Sequence, residues 1–160
     1  MPAITALLHA RNDALRLGRA LETLLPCDEI LVVDHASADA TERIAREYGA
    51  RIITAGTHPA PEPWLQLARH EWILCLEARE SLTEALSASL FEWRTESHTL
   101  PATTAFSFFL REETADGWLE NPTPQTRLVS RSWSHWHGRL PATDPSAIVL
   151  EGALLRFILP

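Results

Sequence analysis

Three clusters of polar residues each follow a short apolar run in this chain. They are residues 9–13 (HARND), residues 34–39 (DHASAD) and residues 77–80 (EARE). Carboxylate and imidazole groups of this kind can ligate a cation, accept a hydroxyl hydrogen bond or transfer a proton. None of the clusters contains the glycine-rich loop of a dinucleotide site or a P-loop, so we do not expect those two classes of phosphate site.

The apolar runs that precede the clusters predict buried strands. Amphipathic stretches with helical spacing separate these runs, which are residues 4–8, 30–33, 52–53 and 72–76. Alternating strands and helices favour an α/β fold, with a doubly wound, mostly parallel sheet and helices on both faces. Ligands of such sheets bind beyond the carboxyl ends of the strands, which is where the three clusters fall.

The second half of the chain has a different pattern. Its apolar runs lie close together without a long helix between them, at residues 105–110, 127–129, 147–150 and 154–159. We expect these runs to form mixed or antiparallel strands that extend the first sheet. Residues 81–84 (SLTE) have the pattern of a capping box and predict that a helix opens at Ser81.

Composition narrows the classes of function. The 160 residues are 46% hydrophobic and carry a formal net charge of −7, which predicts one packed domain and disfavours nucleic acid as a partner. No apolar run approaches the roughly 20 residues of a membrane-spanning helix, so we expect no transmembrane segment. Cys27 and Cys75 lack the spacing of metal ligands, and we interpret them as reduced thiols of a cytoplasmic protein.

The clusters and their flanking strands together resemble family 2 glycosyltransferases, especially the bacterial branch that adds sugars to lipopolysaccharide core. That branch typically has K-N-E after its first strand, D-E-I-V-V-V-D-x-x-S-T-D-x-T across its second and W-I-L-x-L-D-A-D-E across its fourth. This chain has RND at residues 11–13, DEILVVDHASADAT at 28–41 and WILCLEARE at 72–80. Later, RLV at residues 127–129 is similar to the family's R-L-F, and WHGRL at 136–140 to its W-x-G-x-V.

The resemblance implies a GT-A fold and the transfer of a hexose from a nucleotide-sugar, most readily a UDP-sugar, to a glycan or lipid-linked acceptor. It also implies a single domain over residues 1–160, with a nucleotide-binding half at 1–80 and a shortened acceptor half at 81–160. In the family, D-x-D carboxylates hold a divalent cation that neutralises the departing diphosphate. The nucleotide-sugar-binding positions carried over to this chain are Asp34, Ser37, Asp39, Glu77 and Arg79. Asp34 has an alternative role as a turn and cap residue.

The D-x-D element is degenerate in this chain. Glu77 stands at its first carboxylate, but Arg79 stands where the metal-binding Asp belongs, and a guanidinium cannot ligate a cation. Pro141 and Ala142 replace the His-Glu pair that follows the W-x-G-x-V stretch in the family. These departures make Mg²⁺ or Mn²⁺ binding doubtful and leave two functions open. One is a working transferase, and the other is a catalytically degenerate relative that binds a protein partner or a glycan.

Arg79 itself has two interpretations. Its planar guanidinium could pair with the diphosphate, or it could pair with Glu77 or Glu80 at the surface. A metal site built from His9, His35 and Glu77 is a further alternative, because all three follow predicted strands. If the chain is not an enzyme, we expect a partner to bind the aromatic second half, at Trp118, Trp133 and Trp136.

Overall fold

The computed structural model describes residues 1–55, 62–96 and 105–160. Strands and helices alternate through the first half, as the apolar runs predict. In chain order the elements are β1 (Ile4–Ala10), α1 (Leu17–Glu22), β2 (Glu29–Asp34), α2 (Thr41–Glu47), β3 (Arg51–Thr54), α3 (Glu62–Leu67) and β4 (Trp72–Glu77). No helix in the described parts of the chain is long and apolar enough to cross a membrane.

The second half is built mainly from strands around one longer helix. Its elements are β5 (Glu80–Leu82), α4 (Glu84–Glu96), β6 (Ala105–Thr114), β7 (Gly117–Glu120), β8 (Gln125–Ser130), β9 (Trp136–His137), β10 (Leu140–Pro141) and β11 (Ile148–Arg156). β9 and β10 form a separate two-stranded hairpin.

One nine-stranded sheet runs through both halves, in the order β3-β2-β1-β4-β8-β6-β11-β5, with β7 paired to β6. The four strands β3, β2, β1 and β4 are mutually parallel. From β8 onward the sheet is mixed, because β8 is antiparallel to both β4 and β6 while β11 is parallel to β6. The predicted α/β fold class, with its parallel first half and mixed second half, is confirmed.

Two hydrophobic cores cover the two faces of the sheet. Along β1, Leu8 packs into the core under α1, α2 and α4, whereas Leu7 packs into the core under α3. This alternation follows from the two-residue period of a strand, and it confirms that helices lie on both faces. Five of the seven residues of β1 are apolar, and its two polar residues, Thr5 and His9, are buried.

The helix after β4 begins later than the capping-box pattern predicts. Ser81 and Leu82 belong to β5, where they pair with β11, and α4 begins at Glu84. Thr83 caps this helix, since its Oγ1 accepts a hydrogen bond of 3.3 Å from the backbone N–H of Leu86. The prediction of a helix opening at Ser81 was therefore wrong, because pairing with a distant strand competes with the local cap.

The two last apolar runs form a single strand, β11, with an irregularity in its middle. The register between β11 and β6 shifts between Val149 and Ala153, and Gly152 has a φ of +96°. A Cβ at Gly152 would lie 2.3 Å from the backbone nitrogen of Leu86, so only glycine lets β11 pass this close to α4.

The register of the parallel strands brings the polar clusters together. Within the sheet, β1 lies between β2 and β4; Ala10 is opposite Asp34, and His9 is opposite Glu77. Because these three strands are parallel, their carboxyl ends meet at one edge of the sheet. Asp34 and Glu77 therefore lie at the same edge, separated by the end of β1.

Candidate functional site

Two loops at this edge, residues 11–16 after β1 and residues 35–40 after β2, form what we call the loop pair. Asn12 and Ala36 both have positive φ, at 53° and 56°. The Asn12 side chain crosses to the second loop, where its Oδ1 accepts a 2.8 Å hydrogen bond from the backbone N–H of Ala38. A short polar side chain tolerates this backbone conformation better than most, which explains an asparagine here.

Three of the predicted nucleotide-binding residues support the loop pair. Ser37 receives a 2.9 Å hydrogen bond from the Asn12 N–H, and its own hydroxyl donates to the buried carboxylate of Asp34. Asp39 accepts a 3.1 Å bond from the N–H of Ala14. These are turn and cap contacts, which for Asp34 match the alternative role given above, and the carboxylates keep further lone pairs for a ligand.

A small cavity of about 210 Å³ opens beside the loop pair, between the ends of β1 and β4 and the β9–β10 turn. Typical small-molecule pockets measure roughly 300–1,000 Å³, so this cavity suits one part of a ligand. We call it the edge pocket; its polar and charged lining residues are His9, Asp13, Arg16, Glu77, Arg79 and Arg139. The structure therefore places Glu77 and Arg79 in the pocket, and Asp34, Ser37 and Asp39 next to it.

Within the edge pocket, Arg79 pairs with Glu77. The Arg79 Nε lies 2.8 Å from Glu77 Oε2, with the two side chains 42% and 34% exposed. Arg156 also approaches this carboxylate, with its Nε 3.8 Å from Glu77 Oε2. The Glu77 carboxylate thus faces two guanidinium groups.

Glu80 lies in a group of buried charges that the sequence did not predict. Its carboxylate is fully buried and accepts hydrogen bonds from Arg127 at 2.6 and 2.9 Å and from Arg156 at 3.0 and 3.1 Å. The backbone N–H of Glu77 adds a bond of 2.8 Å. We call Glu80, Arg127 and Arg156 the buried charge cluster. Although burial opposes the ionised form, Arg127, the Glu77 N–H and Arg156 together hold the pKa of Glu80 below its usual value.

The interpretation that Arg79 pairs with Glu77 or Glu80 is met by Glu77, while Glu80 pairs with Arg127 and Arg156 in the interior. Arg127 is 1% exposed and precedes the buried apolar residues Leu128 and Val129 on β8. A buried guanidinium requires a carboxylate partner, so the residues at 127–129 contained a sign of an internal ion pair. The partner's identity was not in that pattern, because Glu80 lies 47 residues away.

The residues present do not fit the divalent cation that the fold family implies. Both oxygens of Glu80 are engaged by arginines, and the Glu77 carboxylate already faces Arg79 and Arg156. Across residues 1–55, 62–96 and 105–160, no group of three or more histidine, cysteine, aspartate or glutamate residues could hold a metal ion. This includes the set His9, His35 and Glu77, which the structure does not gather as ligands.

The two histidines bond to each other instead. His9 Nδ1 and His35 Nε2 are 2.8 Å apart, and Arg139 Nη2 lies 3.4 Å from His35 Nδ1. A guanidinium only donates, so this contact selects the tautomer in which His35 Nε2–H donates to His9 and His9 carries its proton on Nε2. Burial, reinforced by the charge of Arg139 and by His35, lowers the pKa of His9 to about 3. His9 is therefore neutral near pH 7.

Arg139 owes its position to the turn between β9 and β10. The two residues of this turn are Gly138, with a φ of +63°, and Arg139. A type II′ hairpin turn requires a positive φ at its first position, which glycine adopts readily. This requirement explains the glycine of the W-x-G-x-V stretch. The exposed guanidinium of Arg139 reaches the edge pocket and has no ion-pair partner among the described residues.

The aromatic residues of the second half differ in exposure. Trp133 is buried, with its indole N–H bonded to the His135 carbonyl at 2.8 Å, and Trp136 is partly buried. Trp118 is 43% exposed and packs edge-on against Phe157 with the ring centres 5.3 Å apart. Of the three, only Trp118 offers a substantial exposed ring.

The curated proteins that are similar to this chain in sequence are named as glycosyltransferases. An uncharacterized glycosyltransferase of Rickettsia felis is 31% identical over 166 residues, covering 94% of this chain and 56% of that protein. An uncharacterized glycosyltransferase of Rickettsia bellii is 24% identical over 162 residues, covering 92% of this chain and 53% of that protein. The chain thus spans about half the length of these relatives. No family model matches the chain.

Solved structures share the fold at low sequence identity. Glucosyl-3-phosphoglycerate synthase from Mycobacterium tuberculosis aligns with a TM-score of 0.54 and 18% identity, over 69% of this chain and 44% of that one. TarS of S. aureus aligns with a TM-score of 0.57 and 17% identity, over 72% of this chain and 36% of that one. The chain therefore has the fold of GT-A glycosyltransferases and is similar in sequence to proteins named as glycosyltransferases.

Proposed function

We propose that this chain transfers a hexose from a nucleotide-sugar, most readily a UDP-sugar, to a glycan or lipid-linked acceptor. The motifs of the chain favour family 2 of the glycosyltransferases, and within that family the branch that acts on lipopolysaccharide core. The observation that carries the proposal is the meeting of the loop pair and the edge pocket at the carboxyl ends of β1, β2 and β4. That is where open α/β sheets bind nucleotide ligands.

The ligands of the solved neighbours support a uridine nucleotide. The M. tuberculosis synthase was crystallised with Mn²⁺, UDP and glucosyl-3-phosphoglycerate, and TarS with UDP-GlcNAc. Both proteins share the fold of this chain, so a UDP-sugar is the donor to test first. The metal is a separate question, because the donor set of this chain does not fit one.

We assign the roles by position along the edge. The loop pair, with Asp34, Ser37 and Asp39, would contact the nucleoside, because it forms the rim beside the buried carboxylate of Asp34. Glu77 and Arg79 would face the diphosphate and sugar in the edge pocket. In this arrangement residues 1–80 form the nucleotide-binding half of a single domain and residues 81–160 the acceptor half. A cytoplasmic location stays a prediction from composition.

Thermal unfolding with a panel of UDP-, GDP- and dTDP-sugars, each with Mn²⁺ and with EDTA, tests the proposal. A ligand that binds only the native state at 100 times its Kd stabilises the protein by about 2.7 kcal/mol. We expect a rise in Tm with a UDP-sugar. Asp34→Asn should reduce this rise, while Glu47→Gln, on the exposed end of α2, should not. If no nucleotide-sugar raises the Tm under either condition, the transferase proposal is wrong.

A second candidate is a catalytically degenerate relative that binds a protein partner or a glycan. Two observations favour it: the ion pair between Glu77 and Arg79, and the presence of Pro141 in β10 and Ala142 directly after it. An exposed patch around Trp118 and Leu119 would be the contact surface. This candidate is supported if Trp118→Ala abolishes binding to a glycan array while nucleotide-sugars leave the Tm unchanged, and it fails if UDP is released from a UDP-sugar in an acceptor-dependent way.

A further inference from the structure

We propose that the edge pocket binds the diphosphate of the donor directly through Arg16, Arg79 and Arg139, so that guanidinium groups take the place of the divalent cation. The inference deepens the proposed function and rests on it for the identity of the natural ligand. A departing diphosphate requires nearby positive charge. In this site the arginines would supply it, because the residues present do not fit a metal ion.

The first support is the balance of charge in the pocket. Its lining contains the guanidinium groups of Arg16, Arg79 and Arg139 against the carboxylates of Asp13 and Glu77. Arg156 stands 3.8 Å behind Glu77 and offsets part of its negative charge. The pocket therefore presents net positive charge in a protein whose formal net charge is −7.

The second support is the availability of the guanidinium groups. Arg139 has no carboxylate partner in the described parts of the chain and sits at the pocket on a tight turn. Arg16 is 3.6 Å from Asp13, a long ion pair that leaves donors free. The bond from Arg79 to Glu77 uses only the Nε of the guanidinium. It does not involve the two terminal nitrogens, which can bind two phosphate oxygens in parallel.

The third support is a buried hydrogen-bond donor without a partner. His9 is 9% exposed and lines the pocket, and its Nε2 has no hydrogen-bond partner among the described residues. This nitrogen carries a proton, because Arg139 donates to His35 Nδ1 and His35 Nε2–H donates to His9 Nδ1. A buried N–H without an acceptor costs free energy unless a ligand satisfies it, and an anionic oxygen is the acceptor that suits this pocket.

The size of the pocket agrees with this assignment. Its volume of about 210 Å³ is below that of a site for a whole nucleotide-sugar, but it suits the compact charged part of one. The loop pair next to it would hold the remainder. A free phosphate or pyrophosphate shares the recognised chemistry, and inorganic pyrophosphate is therefore the direct probe of the pocket.

Calorimetric titration of the full chain with inorganic pyrophosphate, in EDTA and then in Mn²⁺, tests the inference. We expect binding in EDTA, weakened about tenfold to a hundredfold by Arg139→Ala and by Arg79→Ala, because each removes charge-assisted hydrogen bonds. Arg139→Lys should retain part of the affinity. Arg43→Ala is the matched control, since this exposed arginine on α2 pairs with Glu47 and lies outside the pocket.

The outcomes separate this inference from the proposed function. The inference is overturned if pyrophosphate binds only with Mn²⁺, if it does not bind at all, or if Arg43→Ala weakens it as much as Arg139→Ala. In the first of these cases a UDP-sugar that also requires Mn²⁺ would leave the transferase proposal intact. Arginine-dependent binding of pyrophosphate in EDTA, without stabilisation by any nucleotide-sugar, would support the anion site and refute the transferase.

Discussion

The loop pair and the buried charge cluster lie along one edge of the same sheet but are built in opposite ways. The loop pair is exposed, and neutral backbone N–H groups supply most of its hydrogen bonds to side chains such as Asn12 and Ser37. The buried charge cluster places Glu80 between two arginines with hardly any access to solvent. The first arrangement can exchange its bonds with a ligand at little cost, whereas the second must stay intact for the fold to persist.

This contrast assigns recognition to one region and stability to the other. A carboxylate with five incoming hydrogen bonds, as at Glu80, has nothing left for a substrate or a cation. Between the two regions, Glu77 and Arg79 are partly exposed and belong to the edge pocket.

The largest effect is expected from Arg127→Met. The change leaves a buried carboxylate with one arginine fewer, and breaking a buried pair from one side typically costs about 3–5 kcal/mol. Urea unfolding of the variant should show a loss of this size. The double variant Arg127→Met with Glu80→Leu removes both charges and should be more stable than the single variant. A loss below about 1 kcal/mol in the single variant would contradict the structural role of the cluster.

An intermediate effect is expected from acidification through His9, which lines the edge pocket. Because its pKa is lowered to about 3, the native state binds fewer protons at this site than the unfolded state, whose histidine titrates near 6.5. Stability contributed by His9 is thus complete above about pH 6.5 and is lost as the pH falls towards 3. For one histidine this amounts to about 2 kcal/mol between pH 7 and pH 5.

Urea unfolding of the wild type and of His9→Gln at both pH values measures that contribution. The loss on acidification should shrink in His9→Gln and persist in His137→Gln, an exposed histidine outside the pair. Burial and Arg139 also lower the pKa of His35. Because His35 remains in both variants, it adds to the pH dependence of the free energy of unfolding in each of them. Equal acid sensitivity of wild type and His9→Gln would show that His9 is protonated in the native state.

The smallest effect is expected in the loop pair, at Asn12. Asn12→Ala removes the 2.8 Å bond to the Ala38 N–H and places alanine at a φ of 53°, which together should cost about 1–2 kcal/mol. Asn12→Gly removes the same bond but adopts this φ without strain, so its loss should be smaller. Chemical denaturation of the two variants gives the comparison. If alanine and glycine destabilise equally, the backbone conformation contributes nothing to the choice of asparagine.

Much of the site's location followed from the sequence. The runs before Asp34 and Glu77 are apolar without interruption, and this pattern predicts parallel strands whose ends share one edge. The structure places both residues there. The helix predicted to open at Ser81 shows where local reasoning failed, because a strand pairing with β11 outweighed the capping pattern.

The contacts of the edge pocket and of the buried charge cluster could not be read from the chain. Arg139 meets His35 across 104 residues, and Arg156 meets Glu80 across 76. A charged residue in a sequence carries no mark of its partner, since salt bridges depend on which loops the sheet brings together.

The sequence by itself determined the parallel half of this protein, because hydrophobic periodicity and strand length are local properties that each segment displays on its own. It also determined that Arg79 could not be a metal ligand, since the chemistry of a guanidinium does not depend on its surroundings. Only the tertiary structure decided that Glu80 is a buried anchor, that Arg139 faces the pocket and that His9 is neutral. Protonation and pairing are set by burial and by neighbouring charges, and those exist only once distant segments have packed.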